Sequence, residues 1–349
     1  MISTELIHWY DANKRDLPWR ITKDPYSIWL SEIILQQTRV NQGMPYYNNI
    51  LRNFPTVFDL AAVDDDQFMK FWQGLGYYSR ARNLLTAART VVYEYNGIFP
   101  SKYSEIIKLK GVGDYTAAAI ASIAFNESVP VVDGNVKRII SRIYGIEVPL
   151  NNIEGINQIK NILKEIMVPT NAGVFNQALM EFGAIQCKPV NPNCLDCFLR
   201  KSCYAFNHDK VSMLPLVLKK TDLKKRFLYY FIIRNGKYYY IHQRGKNDIY
   251  KSLYEFYLLE YAEKQEDVML LNDFKSKFSS IEVEILEQSI DIKHILSHQQ
   301  LNVKFIHVEL NMDVVNISEI VKVTFDELAN YAYPQFIYSY MKKIKLLSE

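Results

Sequence analysis

Lys110-Gly111-Val112-Gly113-Asp114-Tyr115-Thr116-Ala117 is the stretch that decides the reading of this chain. A helical period runs up to it over 103–109, and an Ala-rich helical segment leaves it over 114–125. Two glycines one residue apart allow a sharp turn and a close approach to another surface. The next helix starts at once, so its first N–H groups lie beside the glycines. Those donors and the positive end of the helix suit a phosphate. The same residues also suit an ordinary helix–helix turn, and Gly-x-Gly alone leaves both readings open.

Outward from this turn, residues 1–200 read as helical. Apolar periods fall at 3–13, 27–40, 56–62, 65–73, 79–95, 135–144, 156–166 and 171–184. Breakers such as Asp24-Pro25, Gly74-Leu75-Gly76 and Asp133-Gly134 separate them. All four tryptophans (Trp9, Trp19, Trp29, Trp72) lie in this part. Residues 201–250 hold 11 Lys and Arg against three acids. Within them, 205–225 reads as a basic linker that meets a polyanion or is simply solvated.

Beyond it the pattern changes. Phe227–Ile233 and Tyr238–His242 are aromatic and β-branched, and they flank Arg234-Asn235-Gly236-Lys237, whose Asn-Gly pair suits a tight hairpin. Asn302–Leu310 reads as a strand, and Ile337, Tyr340, Met341 and Ile344 have helical spacing. The expected architecture is a mainly α domain over 1–204, the linker, and an α+β domain over 226–349. A length of 349 residues also calls for more than one core. With 49% hydrophobic and 23% charged residues, the composition is that of a folded globular chain and not a disordered one. No apolar run reaches 18 residues and the N-terminus carries no secretory pattern. The expectation is a cytoplasmic protein with no membrane partner.

Three sets of residues can carry chemistry. In Val131-Val132-Asp133-Gly134-Asn135-Val136, Asp133 or Asn135 can cap the following helix. An ionised Asp133 there can also stabilise a developing cation. Glu32, in Ser27-Ile28-Trp29-Leu30-Ser31-Glu32-Ile33-Ile34-Leu35, has Ile28, Trp29 and Leu35 as helical neighbours. Either it lies on a narrow polar edge, or burial raises its pKa and makes it a general acid. The four cysteines, Cys187, Cys194, Cys197 and Cys203, lie within 17 residues. Four thiolates so placed can hold zinc or a [4Fe–4S] cluster.

Taken together and in order, these motifs resemble the adenine DNA glycosylases (the MutY family), one branch of the helix-hairpin-helix glycosylases related to endonuclease III. The resemblance rests on Leu17-Pro18-Trp19-Arg20, Ser31-Glu32 with Leu35-Gln36-Gln37-Thr38, and Gly74-Leu75-Gly76-Tyr77-Tyr78 with Arg80-Ala81-Arg82-Asn83. The hairpin Gly111-Val112-Gly113, Asp133-Gly134-Asn135-Val136 and the cysteines complete it. It runs from about Leu17 to Phe256, with a weaker tail beyond.

The resemblance implies a helix-hairpin-helix fold with a [4Fe–4S] cluster on the four cysteines, followed by a Nudix-like domain. It implies that Gly111, Val112 and Gly113 bind DNA backbone. Glu32 would protonate adenine at N7 and then activate water, and Asp133 would stabilise the oxocarbenium-like sugar. Asn135 and Tyr115 would support them, Gln37 and Tyr77 would enter the duplex beside the lesion, and Arg20 and Gln177 would line the pocket. The bifunctional branch places a nucleophilic lysine where this chain has Tyr115. A phenol forms no Schiff base, so a monofunctional glycosylase is expected.

In the second domain, Asp248–Phe256 is similar to the Nudix-like segment of the family, with Tyr250 and Tyr257 for the more usual Trp and Pro. The acidic Nudix box is missing, so no pyrophosphohydrolase activity is expected. The Phe-Ser-His loop that reads 8-oxoguanine corresponds to Leu296, Ser297 and His298, with Leu in place of Phe. The implied partner is duplex DNA with an 8-oxoguanine:adenine or guanine:adenine mispair, bound by a nucleoid-associated monomer. Two rivals stand beside this reading: a sibling glycosylase for mismatched or oxidised pyrimidines, and a non-catalytic iron–sulfur sensor of damage.

Overall fold

The computed structural model describes residues 2–217, 223–245, 248–277, 283–289, 291–296, 298–311 and 320–347. The chain divides into two compact units, Met1–Val63 with Arg80–Lys219, and Asp64–Ser79 with Lys220–Glu349. The helices in chain order are α1 (Ile2–Asn13), α2 (Pro25–Leu35), α3 (Val40–Asn53), α4 (Val57–Ala62), α5 (Asp65–Trp72), α6 (Ser79–Glu94) and α7 (Tyr103–Ile106). They continue with α8 (Asp114–Phe125), α9 (Gly134–Tyr144), α10 (Ile153–Ile166), α11 (Ala172–Ile185) and the short α12 (Tyr204–Asn207). No described helix is long and apolar enough to cross a membrane.

Local chemistry starts the helices that matter here. Asp24 caps α2 by accepting from the N–H groups of Tyr26 and Ser27, and Pro25 occupies the first turn. Asp133 caps α9 through the N–H of Val136. At the buried centre of the first unit, α11 packs on α8 and α9. A Cβ at Gly183 would lie 2.5 Å from the Asn135 Cβ, so only glycine lets α11 approach the start of α9 this closely.

The helical period over 27–40 does not continue as one helix. α2 ends at Leu35, and Gln37 takes a left-handed φ of 56°. Arg80 fixes this break: its guanidinium donates to the carbonyls of Ile33 (3.0 Å), Ile34 (2.7 Å) and Gln36 (2.5 Å), the orphan acceptors of a helix end. No helical period was read over 41–55, yet α3 forms there around buried Tyr47 and Ile50, with Pro45 inside it. The stretch expected as a linker is structured in its first half. Ala205 and Leu214 are buried, Arg142 Nε donates to the Leu214 carbonyl (3.0 Å), and Leu150 N–H donates to that of Leu216 (2.9 Å).

The second unit is built on strands β1 (Lys224–Asn235), β2 (Tyr238–Gln243), β3 (Tyr254–Tyr261), β4 (Val283–Gln288), β5 (Ile292–Ile295), β6 (Gln299–Leu310) and β7 (Ile320–Thr324). Their order is β4-β6-β1-β3-β2-β7, with β5 paired to β6. β1 and β6 run parallel, and the other pairs are antiparallel. The alternation of a strand sends Leu228, Tyr230 and Ile232 to one face, where they meet α14 (Gln335–Lys343). It sends Tyr229, Phe231 and Ile233 to the other face, under α13 (Asp267–Lys277). β1 is therefore apolar on both faces, which is why 227–233 reads as a continuous run. The β1–β2 loop is Gly236-Lys237, one residue later than the Asn-Gly pair suggests, with Gly236 at φ 57° in the first loop position as a type II′ turn requires.

Candidate active site

A cavity of about 520 Å³ opens in the helical unit. Its lining takes Arg20 from the 3₁₀ turn Pro18–Arg20, Glu32 from α2, Tyr115 from α8, Asp133 and Asn135 from the start of α9, and Gln177 from α11. Six residues named from the sequence thus meet in one place. Gln37, Tyr77 and the Gly111–Gly113 hairpin are not part of this lining.

Glu32 is buried, with 8% of its surface exposed. Burial pushes its carboxyl pKa up to about 7. The Tyr115 hydroxyl, which hydrogen-bonds to it, and the Arg20 guanidinium pull downward, while the Asp133 charge adds to the rise. At neutral pH such a group is present in both forms and can give a proton and take one back. The reading of Glu32 as the polar edge of an amphipathic helix fails, because nine of the 11 residues of α2 are buried.

Asp133 both caps a helix and faces the cavity. Burial raises its pKa, against hydrogen bonds from the Val136 N–H (2.7 Å) and the Asn135 amide (2.9 Å). Asn135 is itself held, since Arg138 donates to its Oδ1 (2.9 Å). Tyr115 is half-buried, with its pKa raised by burial and by the Glu32 and Asp133 charges, so it stays a neutral phenol.

The sequence did not mark Glu181, on α11. Its carboxylate is buried and accepts from both Arg15 (2.8 and 2.6 Å) and Arg20 (3.0 and 2.6 Å). Burial would raise its pKa, but the two guanidinium groups hold it down near 2. Glu181 thereby aims Arg20 into the cavity, and Tyr10 does the same for Gln177 through a 3.0 Å bond. Only the shared helical face of Gln177 and Glu181 could have hinted at this, because the arginines lie far off in sequence.

The hairpin has the geometry its glycines suggest. Gly111 takes φ 79°, and a Cβ there would strike Asn83 at 2.6 Å. Val112 is buried and anchors the turn. Gly113 differs: its backbone is ordinary and a Cβ would meet nothing within 4 Å. The protein's own packing does not require a glycine there, whereas an external ligand approaching the first turn of α8 would.

Cys187, Cys194, Cys197 and Cys203 line one small cavity with Arg142, Phe182 and Leu199. Backbone N–H groups point at two of the sulfurs, from Leu199 to Cys197 and from Ala205 and Phe206 to Cys203. Arg142 Nη1 lies 3.5 Å from the Cys187 Sγ. Burial pushes the Cys197 thiol up to about 11, so thiolates here need a cationic group to hold them. Among the described residues, no three His, Cys, Asp or Glu side chains stand close enough for a single ion. The donor set, four thiols around one cavity, fits a metal group bound by thiolates alone.

In the second unit, Leu296 and His298 lie in the β5–β6 turn, closed by the Leu296 N–H to Gln299 carbonyl bond (2.8 Å). His298 is exposed, and Leu296 is half-buried against the cluster of Tyr333 and Phe336. Ser297 lies outside the described residues.

The helical unit has the fold of a base excision DNA glycosylase. Residues 30–164 match the HhH-GPD superfamily base excision DNA repair proteins, and residues 229–343 match the NUDIX domain. The chain is 35% identical to the adenine DNA glycosylase of Buchnera aphidicola subsp. Acyrthosiphon pisum, over 89% of this chain and 87% of that one. It is 41% identical to the human adenine DNA glycosylase over 57% of this chain and 38% of the human one. A thermostable thymine-DNA glycosylase superposes with a TM-score of 0.55 at 28% identity, covering 59% of this chain and 95% of that one. The chain belongs to the adenine DNA glycosylase family, and it is a hydrolase of N-glycosyl bonds.

Proposed function

We propose that this protein removes adenine mispaired with 8-oxoguanine, or with guanine, from duplex DNA. The observation that carries the proposal is the pairing in one cavity of a buried carboxyl poised near 7, Glu32, with a second carboxylate, Asp133. Adenine reaches such a cavity only by leaving the base stack. Glu32 in its protonated form donates to N7, which turns the base into a neutral leaving group. The C–N bond breaks toward an oxocarbenium-like sugar, and Asp133 stabilises that charge from its fixed place at the start of α9. Glu32, now ionised, takes a proton from the attacking water. The division of labour parallels glycoside hydrolysis. Tyr115 and Asn135 hold the two carboxyl groups, and Arg20 and Gln177 bound the base.

Gln37 and Tyr77 enter the duplex to fill the gap. Both have left-handed φ values, 56° and 50°, a strain that favours a functional role for these positions. Gly111–Gly113 and the first turn of α8 take a DNA phosphate. Leu296, Ser297 and His298 read the oxidised base. Cys187, Cys194, Cys197 and Cys203 hold a [4Fe–4S] cluster, whose bound form ties the loop 187–203 into a fixed surface. With Tyr115 at the lysine position of bifunctional relatives, the enzyme leaves the abasic strand uncut.

The test is a single-turnover assay on duplexes with 8-oxoguanine:adenine, guanine:adenine, guanine:thymine and thymine-glycol sites, with and without alkali. The expected result is adenine release with alkali-dependent nicking, abolished by Glu32→Gln. Cutting at thymine or thymine glycol in place of adenine overturns it.

A further inference from the structure

The loop that carries Tyr77 belongs structurally to the second unit, although the sequence places it among the helices. Residues 64–79 cluster with 220–349. The loop is tied down around Tyr77. Trp72 Nε1 donates to the Gly76 carbonyl (3.1 Å), and the Leu75 N–H donates to the Trp72 carbonyl (3.1 Å). On the other side, the buried Tyr78 hydroxyl donates to the Tyr333 carbonyl (2.9 Å). Between these ties Gly74, Gly76 and Tyr77 all take left-handed φ values (96°, 75°, 50°), and the Tyr77 ring stands 44% exposed. A strained, tethered loop that presents one exposed ring is a presentation device, and a surface turn would not need it.

The same apolar cluster supports the β5–β6 turn. Tyr333 and Phe336 are in its buried centre, and Leu296, Tyr250 and Tyr254 pack against it. The Tyr250 ring meets Phe336 edge-on at 5.7 Å. The loop of Tyr77, through the Tyr78–Tyr333 bond, and the β5–β6 turn, through Leu296, therefore rest on one apolar cluster.

We propose that Tyr78 is a specificity-determining positioning residue: its bond to the Tyr333 carbonyl fixes Tyr77 to the body that reads the base opposite adenine. The inference rests on the proposed duplex role of Tyr77 and of the β5–β6 turn. Its consequence is that entry of Tyr77 and recognition of the oxidised base occur as one event. A guanine that the turn does not hold leaves Tyr77 poorly placed as well.

The experiment compares the whole protein with Tyr78→Phe, which removes only the hydroxyl, and Tyr77→Ala. Single-turnover rates are measured on 8-oxoguanine:adenine and guanine:adenine duplexes, with melting midpoints alongside. Tyr78→Phe is expected to shrink the preference for 8-oxoguanine by roughly threefold to tenfold, the worth of one intramolecular hydrogen bond, at a nearly unchanged rate on guanine:adenine. An equal fall on both duplexes, or an unchanged ratio, overturns the tether while leaving the role of Tyr77 intact. Tyr77→Ala with both rates at the wild-type level overturns that role and the tether with it. Absence of adenine release by the wild type overturns the function itself.

A second readout needs no variant. Amide exchange of the wild type is followed on duplexes carrying a non-cleavable adenine analogue. Leu75–Ser79 and the β5–β6 turn are expected to gain protection together opposite 8-oxoguanine and together to lack it opposite guanine. Protection of the turn alone overturns the proposal.

Discussion

Arg138 Nε lies 2.8 Å from the carbonyl oxygen of Cys187, and the same guanidinium donates to Asn135 Oδ1 at 2.9 Å. One side chain thus joins the first cysteine of the thiolate loop to the amide that holds Asp133. Its third bond, to the Gly183 carbonyl at 2.7 Å, anchors it to α11. Arg138→Gln keeps polarity but loses the fork. The single-turnover rate is expected to fall about 10-fold to 100-fold, the range typical for residues that orient a reacting group's ligands. Duplex binding by gel shift should change little. A rate within twofold of the wild type would show that Asp133 keeps its place without Arg138.

Glu32 makes the reaction and the stability depend on pH in the same direction. The proton donor is the acid form, so the rate of base release should fall as pH rises through about 7. The folded state also binds this proton more tightly than the unfolded chain, whose carboxyl titrates near 4.5. Ionised Glu32 thus destabilises the fold, by an amount that grows above pH 4.5, is complete above about 7 and is on the order of 3 kcal/mol. Glu32→Gln is expected to be inactive yet to melt higher than the wild type at pH 8, with the difference gone at pH 4. Equal melting midpoints at pH 8 would mean that the carboxyl is solvated.

Glu181 has the opposite sign. Its folded pKa lies near 2, below the unfolded value, so its contribution is present above about pH 4.5 and lost as the pH falls toward 2. Glu181→Gln leaves Arg15 and Arg20 without a countercharge and should cost roughly 3 kcal/mol at pH 7. Most of that deficit should vanish by pH 3. Arg20 is then no longer aimed, so KM for the mispaired duplex should rise too. Denaturant melts at the two pH values decide it, and a deficit independent of pH would reassign the effect to packing.

These two carboxyls show where the sequence was informative and where it was not. Glu32 was legible because its apolar neighbours are local, within one helical turn. Glu181 has apolar neighbours as well, but its meaning lies in Arg15, 166 residues away, and such pairing has no sequence signature. Arg138 was likewise silent, and the structural part of Arg80 was not readable, since a basic residue on a helix normally reads as a solvated face. Asp133 offered two readings, cap and catalyst; the structure shows the cap and also places the residue in the cavity lining. The hairpin glycines were readable as a turn. Only the empty space at Gly113 and the packing at Gly111 separate a glycine that the fold does not require from one that it does. The grouping of 64–79 with the second unit was beyond sequence reading, because helical periodicity reports burial and not which core supplies it.

The first turn of α8 raises a last question, since it holds an acid where a phosphate is proposed to bind. Asp114 is the first residue of the helix, and the Tyr103 hydroxyl donates to it while Lys160 Nζ lies 2.9 Å away. Partial burial works to raise its pKa, but Tyr103 and Lys160 outweigh it, so the group is ionised at neutral pH. An anion at a helix N-terminus is locally stabilising, yet it repels an incoming phosphate and occupies Lys160. Asp114→Asn removes the repulsion and frees the lysine. Binding to any duplex should tighten about twofold to fivefold at moderate salt, and the slope of log K against log salt should steepen by up to about 0.9 as one more phosphate is neutralised. Lys160→Gln should do the reverse, weakening binding by leaving Asp114 uncompensated. The preference among mispairs should stay constant in both variants, because backbone contacts carry no base information. An unchanged slope in Asp114→Asn would mean that Lys160 serves only the fold, and a changed mispair preference would mean that the hairpin does more than grip the backbone.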